Sequence, residues 1–227
     1  MSTFVTISTL LTALLALVLG VFTIFRNPRS PINRTWFSLS LAVALWTTMY
    51  VLIISVAKND QQAFDYLRVL YIAASFIPAL FFHFVLNFLY IRPYSIAFFA
   101  SYLSAVIFAV LSVFSNAIIG GVKFLENFGR YEEIVTPGFY LFLAYFAFVA
   151  GFSVYLLFVA LVKADGFRKK QIGFVLAAAV IGFAGGASNF VTDLTGIYPY
   201  GQLIVWLYPV LITYGIFTPV RIKIRQG

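Results

Sequence analysis

Arg68, Tyr71, Ser75 and Pro78 are spaced by three, four and three residues. That is helical spacing, so Arg68, Tyr71 or Ile72, Ser75 and Pro78 or Ala79 share one face. Pro78 has no N–H to donate, so a helix here bends near Ala74 or Ser75 and leaves a carbonyl without its usual partner. A guanidinium, a phenol, a hydroxyl and a free carbonyl along one line can hold a bound molecule by charge and hydrogen bonds. They supply no nucleophile and no acid pair. Two arrangements satisfy the pattern. In one, the face lines an outward-opening pocket with Arg68 at its mouth. In the other, Arg68 extends to lipid headgroups and Ser75 bonds its own helix.

His83 and Asn87 lie four residues apart on the same run. They bond to each other or across to a neighbour as glue between helices; the alternative is a proton-sensing His83. Further on, Ala178, Gly182 and Gly186 recur every four residues, with Gly185, Ala187 and Ser188 beside them. Such a stripe lets another helix approach closely, or clears backbone surface for a ligand. It runs into the polar end Ser188-Asn189-Phe190-Val191-Thr192-Asp193, expected at the level of Arg68, Tyr198, Tyr200 and Gln202. An Arg68–Asp193 pair is one expected contact there. Trp46, Tyr50, Tyr140, Tyr145, Trp206 and Tyr208 form either an aromatic lining or interfacial belts. Trp46 and Trp206 fall nearest the middle of their runs. The candidate ligand-contacting residues are therefore Arg68, Tyr71, Ser75, Trp46, Tyr50, Asn189, Asp193, Tyr200, Gln202 and Trp206. The candidate packing residues are Gly182, Gly186, His83 and Asn87.

What is missing narrows the chemistry further. The chain has no Cys and a single His, which removes disulfides, thiolate metal sites, thiol catalysis and any multi-His metal or bis-His haem site. No cofactor or metal is expected, and no catalytic residue. The net charge of +8 would suggest nucleic acid in a soluble protein, but the basic residues stay within loops that membrane topology explains, so no nucleic-acid partner is expected.

These residues must be positioned by membrane spans. The chain of 227 residues is 63% hydrophobic and 10% charged, with mean hydropathy +1.00, whereas a soluble domain carries about 25% charged residues. A spanning helix needs about 20 apolar residues. Seven runs qualify: 3–25, 35–57, 66–90, 94–115, 137–162, 170–191 and 201–219. No Lys or Arg precedes Arg26, so the first run lacks the basic start of a signal peptide and is expected to span. Of 15 Lys and Arg, eleven follow the first, third, fifth and seventh runs: Arg26, Arg29, Arg34, Arg92, Lys163, Arg168, Lys169, Lys170, Arg221, Lys223 and Arg225. Six of seven acids fall in or beside the other connections. The positive-inside rule then puts the N-terminus out and the C-terminus in.

The fold expected is all-α: a single seven-transmembrane-helix bundle over 1–227, with a short extracellular β-hairpin between helices 4 and 5. The hairpin is read from the 116–136 connection, where two strand-like runs flank Glu126-Asn127-Phe128-Gly129. A loop of this length is a binding lid or a solvated cap. There is no internal repeat of the kind that builds many transporters. Two seven-span alternatives fail on residues. Retinal would need a Lys in the last span, and 200–220 has none. An intramembrane hydrolase would need acids or a nucleophile within the bilayer, and every acid sits in a loop or at a span end.

The punctuation resembles the N-terminal seven-transmembrane sensor region of bacterial histidine kinases. Asn33-Arg-Thr-Trp-Phe-Ser-Leu-Ser-Leu-Ala-Val-Ala-Leu-Trp46 opens the second span as it does in that family. Arg68 to Pro78 with its Phe-rich continuation resembles the third span, and the long loop leading to Pro137-Gly138-Phe-Tyr140 also fits. Asn189 with Tyr198-Pro-Tyr-Gly-Gln202 resembles the last junction, and Tyr214-Gly-Ile-Phe-Thr-Pro-Val-Arg221 the exit. The resemblance implies a sensory or receptor domain in the bacterial inner membrane. It would bind a small or amphipathic, even lipid-like, ligand in the outer halves of spans two, three, six and seven. The signal would pass through the last span, with Pro209 and Pro219 localising bending, to a cytoplasmic signalling module, fused or separate. A homodimer is compatible with it. The chain departs from the whole kinase pattern at Arg221 to Gly227, where no phospho-acceptor His or ATP-binding segment follows. A small-solute transporter or channel-like protein is the alternative.

Overall fold

The computed structural model describes residues 2–92, 95–126, 129–195 and 200–217, with the backbone alone at 2–3 and 189–195. Its helices are α1 (Ser2–Arg26), α2 (Pro31–Ser55), α3 (Asp60–Phe88), α4 (Ile96–Phe114), α5 (Pro137–Lys163), α6 (Gly166–Thr195) and α7 (Leu207–Phe217). A hairpin of β1 (Ile119–Leu125) and β2 (Arg130–Val135) sits between α4 and α5. Among the described residues, α1 to α6 each hold a stretch long and apolar enough to cross a membrane, and α7 is a shorter apolar helix.

Helix starts follow capping chemistry more closely than hydropathy. The Ser30 hydroxyl accepts from the Asn33 N–H, with Pro31 in the first turn, so α2 begins four residues before the apolar run at 35. Asn59 accepts from the Gln62 N–H at 2.9 Å, which starts α3 at Asp60 rather than 66. The Ser95 hydroxyl does the same for α4 through Phe98. Asn33 also joins α1 to α2: its amide donates to the Thr23 and Asn27 carbonyls at the end of α1.

The expected seventh span differs most. Residues 201–219 do not form one continuous helix: Tyr200–Leu203 is a 3₁₀ turn, and α7 starts only at Leu207. The backbone turns at Gly201, which lies 2.8 Å from the ideal Cβ position of Gly185, too close for a side chain on either residue. Pro209 therefore falls in the first turn of α7, where its missing N–H costs nothing, and it does not act as a hinge within a helix. Pro219 lies outside the described residues.

α3 is the most buried helix, packed by α2, α4, α5 and the hairpin. Two cores run along it. One, at the hairpin end, joins Ile53, Leu67, Leu70, Tyr71, Ile118, Phe139 and Phe142. The other joins Trp36, Leu39, Phe81, Phe84, Val175, Tyr208 and Ile212. α1, α4 and α5 leave large apolar side chains such as Phe4, Phe99, Leu103, Leu141 and Phe148 exposed, as helices facing lipid do.

The basic turns share one end. The Arg168 guanidinium stacks on Phe88 at 4.5 Å and donates to the Phe88 carbonyl, joining the start of α6 to the end of α3. It also covers Tyr90, whose φ of 59° closes the C-terminus of α3. Arg26 lies over Phe22, which in turn packs on Phe217 of α7. The hairpin occupies the opposite end, as a short antiparallel ladder from Ile119↔Val135 to Leu125↔Arg130 with an irregularity between Ile119 and Gly121. Its return into α5 is fastened where the Thr136 hydroxyl donates to the Ala117 carbonyl. Gly138 lies so close that a Cβ there would overlap the Ala117 backbone. Gly138→Ala is expected to lower the melting temperature in nanodiscs and to speed hydrogen exchange in the hairpin. The cost is about 1–3 kcal/mol, because a backbone atom cannot turn aside as a side chain can. Unchanged exchange in the hairpin would refute this.

Candidate functional site

Two chambers meet at Trp46. The first is an apolar cavity among α2, α3, α5, α6 and α7, with about 60 Å³ of room for the centres of water-sized molecules. Leu39, Val43 and Trp46 line it from α2, and Ala74, Ile77 and Phe81 from α3. Phe146 closes it from α5. Ala179, Gly182, Phe183, Gly186 and Ala187 come from α6, and Val205 and Tyr208 from the last segment. Sequence alone explains part of this wall. Gly182 and Gly186 leave the α6 backbone bare, so that Gly182 touches the Tyr208 ring while, among the described residues, Gly186 has only Trp46 Cη2 near its Cβ position, at 3.9 Å. Tyr208 is buried, packs edge-on to Trp36 at 5.7 Å, and its hydroxyl has no hydrogen-bond partner among the described residues. An unpaired buried hydroxyl costs about 1–3 kcal/mol.

The second chamber lies beneath the hairpin. Trp46, Tyr50, Ile53, Leu67, Leu70 and Tyr71 form its bundle wall, and Arg130, Tyr131, Glu132 and Glu133 its hairpin wall. Trp46 and Tyr50 stack, with centroids 6.2 Å apart and planes 17° apart. Arg130 is buried and forms an ion pair with Glu132 at 2.6 Å while donating to the Tyr50 hydroxyl at 3.0 Å. Tyr71 donates to Glu133 at 2.8 Å and packs its ring on Phe139 and Phe142. The hairpin thus turns the charges of β2 inward onto the bundle, while Lys123 of β1 and Glu126 stay exposed.

Of the residues singled out from sequence, Trp46, Tyr50, Tyr71, Gly182, Gly186, Ala187 and Tyr208 come together at these chambers. Arg68 does not: it stacks on Phe64 at 4.5 Å and donates to Asn116. Ser75 is buried, and its hydroxyl turns back to the Tyr71 carbonyl, so it does not line a chamber. Beside it, the Tyr145 hydroxyl lies 2.9 Å from the Ser75 carbonyl, just past the Ala74 carbonyl that Pro78 leaves without a donor. Tyr145 is thereby committed to α3 and Tyr140 is exposed, so neither joins the lining. Tyr200 is exposed, Trp206 donates to the Leu203 carbonyl within its own turn, and the Gln202 carbonyl accepts from Ser8 of α1 at 2.6 Å. These three stand outside both chambers. The side chains of Asn189 and Asp193, and with them the Arg68–Asp193 pair, lie outside the described residues. His83 bonds across to the Tyr102 hydroxyl of α4 at 2.9 Å, and the Asn87 carbonyl accepts from Tyr90 in the closing turn of α3.

Sequence reading missed Arg130, Glu132 and Glu133 as site residues. In β2, Arg130 and Glu132 alternate onto one face, and their burial is the reverse of a solvated cap. Their spacing held that signal, but only the docking of the hairpin says which face turns inward. Phe81, Phe146, Phe183 and Val205 carried no signal apart from being apolar.

Among the described residues, six helices long and apolar enough to cross a membrane, a shorter seventh and a small hairpin define a multi-pass membrane protein. Residues 8–218 match the family described as the N-terminal 7TM region of histidine kinase, and the chain belongs to that family. It is a membrane sensory region, the input part of histidine kinase signalling. No curated protein matches the chain.

Proposed function

We propose that this domain senses a small, largely apolar or amphipathic ligand held in the cavity at Trp46, Gly186 and Tyr208, and passes occupancy to α7. The observation that carries this is that Val205 and Tyr208 of the last segment form one wall of the cavity. A ligand that fills the space must contact α7, so two packings of α7 would differ in affinity for it, which is all that a population shift requires. The chamber beneath the hairpin takes the polar end of an amphipathic ligand, since Trp46 borders both spaces. The basic turns support placing the hairpin end outside and the α7 exit inside the bacterial cytoplasmic membrane, where a fused or partner module receives the signal.

The absence of Cys makes site-directed spin labelling clean. Labels at Ser38 of α2 and Phe217 of α7 report the position of the exit helix, and Gly186→Leu occupies the cavity from within. Filling it is expected to move the label distance by about 1–2 Å or more, the scale of helix shifts in switching proteins. An identical distance distribution in the filled and open forms would overturn the relay. A transporter of polar solutes would need a polar midplane site, and the lining residues among those described are apolar types apart from Trp46 and Tyr208.

A further inference from the structure

We infer that the chamber beneath the hairpin is a cation site, taking the primary ammonium of a compact amphipathic amine against the Glu133 carboxylate and the rings around it. This rests on the reading of the bundle as a ligand sensor and names the chemistry of the ligand's polar end. Three charged residues stand in the chamber wall: Arg130, Glu132 and Glu133. Arg130 and Glu132 match each other at 2.6 Å, and Arg130 also donates to Tyr50. Glu133 is the acid left over, since no Lys or Arg pairs with it among the described residues. Its Oε1 accepts from the Tyr71 hydroxyl at 2.8 Å, and Tyr71 lines the same chamber, so the carboxylate is held at the chamber wall towards α3. A neutral tyrosine donor leaves that negative charge unmatched. The rest of the wall is rich in aromatic residues, with Trp46, Tyr50, Tyr71 and Tyr131, and aromatic rings favour cations over anions. Lys58, Arg68 and Lys123, the other described cations at this end, line neither chamber. An ammonium brings a positive charge and three donors to this place. A carboxylate or phosphate would meet only Arg130, whose charge Glu132 already matches. The chamber has about 30 Å³ of room for the centres of water-sized molecules, half that of the apolar cavity. One water needs roughly 10–15 Å³ on such a measure, so a primary ammonium and its first carbon fit and a sugar does not. Trp46 borders both spaces, so the apolar body of an amine packed on it extends towards the cavity.

Calorimetric titration of the chain in phosphatidylcholine nanodiscs tests this, with empty nanodiscs titrated to subtract partition into lipid. The probes are 2-phenylethylamine, 2-phenylethanol and 3-phenylpropanoate at neutral pH, which share a phenyl body and differ in head charge. Wild type is expected to bind the amine about tenfold more tightly than the alcohol, and the carboxylate more weakly than either. Glu133→Gln keeps an acceptor for Tyr71 and removes the charge, so it should bring the amine-to-alcohol ratio near one with alcohol affinity unchanged. Where hydrogen exchange across 119–135 shows that this variant releases the hairpin, Glu133→Gln with Tyr71→Phe takes its place, removing both partners of the bond. Glu126→Gln, on the exposed turn of the same hairpin, should leave the ratio at its wild-type value. A ratio that survives loss of the Glu133 charge, a ratio that falls equally in Glu126→Gln, or no preference in wild type overturns the cation site. So does carboxylate binding as tight as that of the amine. The sensory cavity is judged separately with Gly186→Leu. If the alcohol binds wild type and not this variant, the cavity stands whatever the amine does. If the amine keeps its full affinity in Gly186→Leu, the cation site stands and the cavity is not where the ligand body lies.

Discussion

Replacing Arg130 by Met is expected to undock the hairpin and to cost about 3–5 kcal/mol, the usual penalty for removing one partner of a buried ion pair. Side chains of Arg130 and Glu132 are only 10% and 6% exposed, and their 2.6 Å contact is the one salt bridge among the described residues. With the guanidinium gone, the Glu132 carboxylate stays enclosed against the bundle, and the Tyr50 hydroxyl loses its donor. The double variant Arg130→Met with Glu132→Leu should recover most of the loss. Apolar replacements fill the space without an uncompensated charge, and a buried pair contributes little net stability over them. Melting in nanodiscs, together with hydrogen exchange across 119–135, measures both effects. If the single variant loses less than about 1 kcal/mol, water reaches the pair and the hairpin is not a sealed cover.

Gly185→Leu is the second change with a large expected effect. A Cβ at Gly185 would sit 2.8 Å from the Gly201 carbonyl oxygen and would overlap a Val205 methyl. The backbone of the 3₁₀ turn must then move away from α6, carrying Val205 and Tyr208 with it. Overpacking of this kind costs about 1–3 kcal/mol, and a leucine at a backbone-to-backbone contact belongs at the upper end. The neighbouring Gly186→Ala is the control, because its Cβ would meet nothing nearer than 3.9 Å among the described residues. Thermal melts should separate the two variants clearly. Equal melting of Gly185→Leu and wild type would mean that α6 and the 3₁₀ turn do not pack as described. The spin-label distance between α2 and α7 should change in Gly185→Leu as well, since the same turn sets where α7 begins.

Much of the architecture was legible because it depends on local quantities. Run length and hydropathy located six long helices, and Pro137-Gly138 correctly marked where α5 begins. The Asn/Gly-containing turn between two strand-like runs announced the hairpin. The last segment was misjudged for a physical reason. Tyr200 to Phe217 is apolar enough for a continuous span, but Gly201 packs directly on Gly185, and that contact favours a turn over a helix. The site residues divided in the same way. Trp46 and Tyr71 reached a chamber, whereas Arg68 and Ser75 found Asn116 and the Tyr71 carbonyl instead. Helical spacing says which residues share a face. It does not say which partner waits opposite.

The sequence by itself determined a multi-pass helical membrane protein with a hairpin, alternating charge at the span ends, and no residues for thiol, multi-His or retinal chemistry. Each follows from composition or spacing within one segment. Only the tertiary structure decided that the hairpin turns Arg130 and Glu132 inward, that the final span is broken at Gly201, and that a cavity opens around Tyr208. A cavity is what remains when five helices cannot close on one another. Its position is therefore set by contacts between residues far apart in the chain, such as Ala74, Gly186 and Tyr208, and no single stretch of sequence contains it.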